Sequence, residues 1–268
     1  MKTNDDNQQV WREIIVKSIT LFKRQGQNLQ NYLRQNERNR KNIVLFLMAR
    51  RIVTNMRAIA ELAGVSYKNN GTLLFKFPIG LLLRNCFSDS ITGLYLMKQD
   101  DVTFNLTMEL WNRDYTNALL EEFEVYKDKI NDLEIDDNLV KHLYSLELED
   151  TFLNYLELKN NYEDVMAQED SYIWKARNRK EYLPEGTNEL PNIKRMADTL
   201  IMDSQFAKCT KCLYAYYKYF SQWEHFSENG AGDILADYGE DNIKISMAFG
   251  HINTALDFIL KIYNTSTE

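Results

Sequence analysis

The chain has 268 residues, 44% of them hydrophobic and 26% charged, with a net charge of −7. That length is ample for one large domain or two small ones, and the composition excludes a disordered chain. Ten glycines and three prolines are too few for a loop-rich β fold, and the apolar runs at 43–49 and 79–83 fall well short of the ~18–20 residues a membrane span needs.

Apolar residues recur at helical spacing along almost the whole chain, and strand-length alternation is nearly absent. A first helix is predicted over about 6–36 and a second over about 42–63, stopped by Gly64. The segment SYKNNGT (66–72) reads as a loop. A third helix, about 78–98, opens on Pro78, a first-turn position that proline accepts. Asp101 is the predicted cap of a fourth, about 102–130. Shorter and longer helices near 138–146 and 148–182 precede LPEGTNELP (183–191), the clearest linker. Helices near 192–202, 204–226 and 241–263 follow. The pattern predicts an all-α chain: one antiparallel bundle of six to eight helices spanning 1–268, with 183–191 as a place of subdivision.

The charge is unevenly spread. Residues 1–70 carry 13 Lys/Arg against 5 Asp/Glu, whereas residues 100–170 carry 5 against 20. The basic helices either face a polyanion or neutralise the acidic ones, and whole-chain acidity favours the second. Arg50, Arg51 and Arg57 are the residues a nucleic-acid reading would use, but base-stacking aromatics are not interleaved with them.

The third helix, FPIGLLLRNCFSDSITGLYLM (77–97), is apolar on nearly every side. Leu83, Cys86, Leu94 and Met97 fall within about 60° of Ile79 around the helix, and Leu81 and Tyr95 lie opposite, so this helix is expected to be central. Arg84 stands out on it, beside a polar stripe that includes Asp89. Its guanidinium must be matched by something from the C-terminal half: a buried ion pair, or a bound anion, unless the side chain snorkels out to water.

That partner is sought on the helix 204–226. Phe206, Cys209, Leu213, Tyr216, Phe220 and Trp223 form its core-facing stripe, and Tyr217, Ser221 and His225 run along one shoulder, a turn apart. Two readings stand. The shoulder is packing, with Ser221 bonded to a carbonyl one turn back and His225 on the last carbonyls. Or it walls a site where Arg84, with Asp89 and Glu224 nearby, holds an anionic group, His225 moves a proton and Tyr217 orients it.

The LLLR sequence at 81–84, followed much later by Tyr217-x3-Ser221-x3-His225, resembles an uncharacterised family of bacterial all-helical domains similar to HEPN-like bundles. The resemblance implies a helical fold and a setting in bacterial defence or stress, and some such bundles are ribonucleases. Their Arg-to-His spacing of four to six residues is absent here: none of His142, His225 or His251 has an arginine at that distance upstream.

Cys209-Thr-Lys-Cys212 is a single C-x-x-C without a second pair, which reads as two packed thiols; no metal and no cofactor is expected. Phosphate-loop, dinucleotide and nucleophile-elbow motifs do not occur. The polar start, MKTNDDNQQVWREII, has no hydrophobic signal core, and three cysteines do not make a disulfide framework, so a cytoplasmic chain is expected. The favoured function is a non-catalytic interaction or regulatory module with a protein partner or a second copy as a dimer. The alternatives are an enzyme or ligand-binding domain around Arg84 and His225, or an RNA-binding, ribonuclease-like protein.

Overall fold

The computed structural model describes residues 4–36, 39–68, 75–108, 110–111, 191–223 and 239–261. The chain divides into two units, Met1–Gln99 with Asn192–Glu268, and Asp100–Pro191. In the first unit the described elements are six helices: α1 (Asn4–Gln35), α2 (Arg40–Lys68), α3 (Lys76–Lys98), α4 (Ile193–Ile201), α5 (Ala207–Ser221) and α6 (Gly239–Ile259). No strand occurs among the described residues, so the all-α expectation holds.

α3 apart, the helices bury one face each. On α1 the buried positions are Trp11, Ile14, Ser18, Gln25, Leu29 and Tyr32, a 3–4 spacing that keeps one face inward. Two of them are polar, and the Ser18 hydroxyl donates to the Ile14 carbonyl at 2.7 Å. Asn39 caps α2 by accepting the Asn42 N–H at 2.9 Å, and the Tyr32 hydroxyl near the end of α1 donates to Asn42 Oδ1 at 3.1 Å. Asn192 caps α4 in the same way through Arg195 N–H at 3.0 Å.

α3 is the hub, packed against α2, α4, α5 and α6. It buries Ile79, Leu83, Cys86, Phe87, Ile91, Leu94 and Leu96, which is why its sequence is apolar all round. It runs antiparallel to α2, with Arg51 against Asp89 and Lys41 reaching the Gln99 carbonyl. It also runs antiparallel to α5, with Arg84 against Ser221 and Lys98 against Asp203 at 2.9 Å. α1 and α6 instead run parallel to each other: Gln25 meets Asn253 and Asp257, and Ser246 lies beside the first half of α1.

Three local expectations are corrected. α2 passes through Gly64 and Ser66 and ends at Lys68; the Ser66 hydroxyl bonds back to the Leu62 carbonyl at 3.0 Å, and burial of Ala63 and Ser66 outweighs glycine's preference for a helix end. α5 starts at Ala207, because the chain turns at Asp203, whose carbonyl takes the Phe206 and Ala207 N–H groups at 3.1 and 2.8 Å. In the second unit the cap is Asp100, not Asp101: its carboxylate accepts the Thr103 N–H at 2.8 Å and the Thr103 hydroxyl at 3.1 Å, opening the helical residues 101–108. The expected helices over 138–146 and 148–182 and nearly all of the linker 183–191 lie outside the described residues.

Candidate functional site

The junction of α3 and α5 is built on ring stacking. Phe87 stacks on Tyr216 at 5.4 Å and on Phe220 at 6.1 Å between centroids. Trp223 closes the end of this wall against Gly80, where a Cβ would stand 2.0 Å from the indole ring. Beside the aromatic wall, Arg84 Nε donates to Ser221 Oγ at 3.2 Å, and the guanidinium carbon lies 5.5 Å from the centre of the Tyr217 ring. Ser221 Oγ in turn donates to the Tyr217 carbonyl at 2.7 Å. Thus Arg84, Tyr217 and Ser221 meet, as the shoulder spacing on α5 and the register of α3 require.

Other candidate residues part company with them. His225 and Glu224 lie outside the described residues. Asp89 faces α2, where its carboxylate takes Arg51 Nε at 2.6 Å and a second bond from Arg51 Nη2, a bidentate pair. Burial pushes the Asp89 carboxyl above its ordinary range, although Arg51 opposes that shift. The same hydrogen bonds hold the Arg51 guanidinium above its own ordinary value. On both residues the partner favours the charged form, and Asp89 ends above its ordinary range only because its burial outweighs Arg51. Asp89 is the informative partner, since a guanidinium stays charged in either case. Cys86, completely buried nearby, has its thiol driven upward chiefly by burial and lies 3.8 Å from the Ile52 carbonyl. Of the basic residues, Arg51 serves Asp89, Arg57 pairs with Glu61 one turn on at 2.9 Å, and Arg50 is exposed.

Sequence reasoning missed a second place, where α1, the end of α2 and the start of α6 converge on an open cleft of about 690 Å³. α1 lines it with Arg12, Glu13, Val16 and Lys17, α2 with Tyr67 and α6 with Ser246. Val16 is 58% exposed and Tyr67 36%. Ile243 and Met247, one turn apart on α6 and flanking Ser246, are about half exposed. Glu13 accepts from Gln9 at 3.5 Å, while neither Arg12 nor Lys17 makes an ion pair among the described residues. Behind Lys17, the His251 ring lies 5.2 Å from that of Tyr216. Burial first, and then Lys17, hold the imidazole below its ordinary range. The only advance sign of this cleft was apolar Val16 on an otherwise polar face, which is too common to read as a signal.

Cys209 and Cys212 are free, half-buried thiols. Burial pushes Cys209 up to about 12, which denies it thiolate reactivity. Among the described residues no group of three or more His, Cys, Asp or Glu could hold a metal ion, and no helix is long and apolar enough to cross a membrane. Comparison with protein-family models, with curated proteins and with solved structures finds no match to this chain.

Proposed function

We propose that this chain is a non-catalytic helical interaction module, taking a protein as its partner. The observation that carries this reading is the engagement of Ser221. Its hydroxyl accepts from Arg84 and donates to the Tyr217 carbonyl. A hydroxyl engaged on both sides is not poised as a nucleophile, so the junction acts as a clip that fixes α3 against α5. The resemblance of the LLLR helix and of the Tyr-x3-Ser-x3-His pattern to bacterial HEPN-like bundles supports a cytoplasmic regulatory setting in defence or stress.

One contact favours a second reading, an anion pocket. The Arg84 guanidinium stacked on Tyr217 is an arrangement that also presents arginine to a carboxylate or phosphate. Thermal unfolding with and without millimolar phosphate or citrate, at constant ionic strength, separates the two. The clip predicts that Arg84→Ala lowers Tm equally in both conditions and that neither anion raises the wild-type Tm. An anion-dependent rise that Arg84→Ala abolishes would establish a ligand site and overturn the proposal.

A further inference from the structure

We infer that the α1–α2–α6 cleft is a docking groove for an amphipathic helix with acidic flanks, supplied by a partner protein. The inference rests on the interaction-module reading and gives that module its surface and the chemistry of its partner. Three observations carry it.

The first is shape. The cleft follows α1 from Gln8 to Lys17, roughly 14 Å at the helical rise of 1.5 Å per residue. One wall is the end of α2 and the other the start of α6. A groove bounded by helices and running along one of them takes a further helix in the way that helix-in-groove complexes do.

The second is exposed apolar surface, with Val16 and Tyr67 in the cleft's lining and Ile243 and Met247 on α6 near Ser246. Val16, Tyr67, Ile243 and Met247 come from three helices and remain 36% to 58% exposed. On α6 the opposite face is buried, with Ile245, Ala248, Phe249 and Ile252 at 0%, while Ile243 and Met247 lie on its outward face together with Gly250 and Thr254. A partner helix with an apolar residue at every third or fourth position would cover this set.

The third is charge. Arg12 and Lys17 flank Val16 on α1 and make no ion pair among the described residues, whereas Arg24 and Arg57 elsewhere on α1 and α2 are paired with carboxylates. Glu13 lines the same cleft but already accepts from Gln9. Two cations without counterions beside an apolar strip favour Asp or Glu on the flanks of the incoming helix, raising its on-rate and setting its orientation. A small anion alone would leave the apolar residues uncovered.

A library of displayed monomeric helical peptides, selected against the full chain at physiological ionic strength, tests this. The expected winners carry an apolar stripe at i, i+3 or i+4, and i+7, flanked by Asp or Glu. For one synthesised winner, Val16→Glu weakens binding about tenfold or more, and Arg12→Glu with Lys17→Glu weakens it at least about fivefold. Leu47→Glu, on the outer face of α2, leaves binding unchanged. Circular dichroism checks that each variant folds, and Val16→Gln replaces Val16→Glu should the latter not fold.

Winners without acidic bias, or insensitive to Val16→Glu, overturn the inference, and so does failure to enrich any peptide. A phosphate-induced rise in Tm lost in the Arg12/Lys17 variant, without peptide binding, makes this a small-anion site instead. Self-association abolished by Val16→Glu makes a second copy the occupant, which also overturns it. Peptides that footprint on Ile43 and Leu47 sink the cleft but leave the interaction-module reading standing. An anion-dependent Tm rise through Arg84 sinks that reading on its own.

Discussion

At the scale of single residues, His251 shows how position alone sets chemistry. Nothing in its sequence neighbourhood, AFGHINT (248–254), distinguishes it, yet burial and the nearby Lys17 hold it below its ordinary value. The linkage has a definite sign. The unfolded chain takes up a proton near the ordinary value of about 6.5 and the folded chain only at lower pH. The stability that His251 contributes is therefore present above about 6.5 and is lost as pH falls from there through the folded value. Between pH 7 and pH 5, wild-type protein should lose more stability in urea unfolding than His251→Gln; equal losses would refute this. The same contrast between sequence and environment holds for Asp89. In sequence it is the acid nearest to Arg84, but its side chain points to α2 and meets Arg51. Five residues along a helix place two side chains about 140° apart, so a sequence neighbour of Arg84 was a poor guide to its partner.

At the scale of elements, two glycines of similar appearance in sequence behave oppositely. Gly64 lies inside α2 with nothing within 4 Å of where a Cβ would be. Gly80 lies inside α3 with the Trp223 ring in that place. Gly64→Ala should stabilise the protein by about 0.5–1 kcal/mol, the usual helix-interior difference. Gly80→Ala should destabilise it by about 1–3 kcal/mol or more, through overpacking. Chemical denaturation of the two variants beside wild type checks both signs. Helix pairing has its own polar code. Gln25, fully buried, donates to Asn253 Oδ1 at 2.6 Å and Asp257 Oδ1 at 2.8 Å and accepts from Asn28 at 3.0 Å. Arg24 adds a bond to Asp257 at 2.8 Å. A satisfied network of this kind fixes the register of α1 on α6, since sliding either helix by one residue would leave buried amides unpaired. The range of α1 was legible in sequence; that a glutamine belonged to its buried face was not.

At the scale of the whole molecule, charge bears on the nucleic-acid reading. Residues 1–70 are basic, but the chain as a whole carries −7. Two of the three arginines suited to nucleic acid are engaged with carboxylates, Arg51 with Asp89 and Arg57 with Glu61. The full chain should not retard single-stranded RNA at physiological salt, and Arg50→Glu with Arg57→Glu should change nothing. Salt-sensitive RNA binding that this double reversal abolishes would restore the nucleic-acid reading.

The sequence by itself determined that the chain is helical, roughly where the described helices lie, that α3 is central, and which face of α5 is inward. These follow from periodicity, which is a local property that each helix carries in its own residues. Only the tertiary structure decided that Arg84 meets Ser221, that Asp89 meets Arg51, that Gln25 meets Asp257, and that an open cleft forms beside Val16. Each of these depends on the rotation and register of helices up to 230 or so positions apart in the chain, as for Arg24 and Asp257, 233 residues apart. Those settings are fixed by packing against α3 and its neighbours, and no local pattern encodes them.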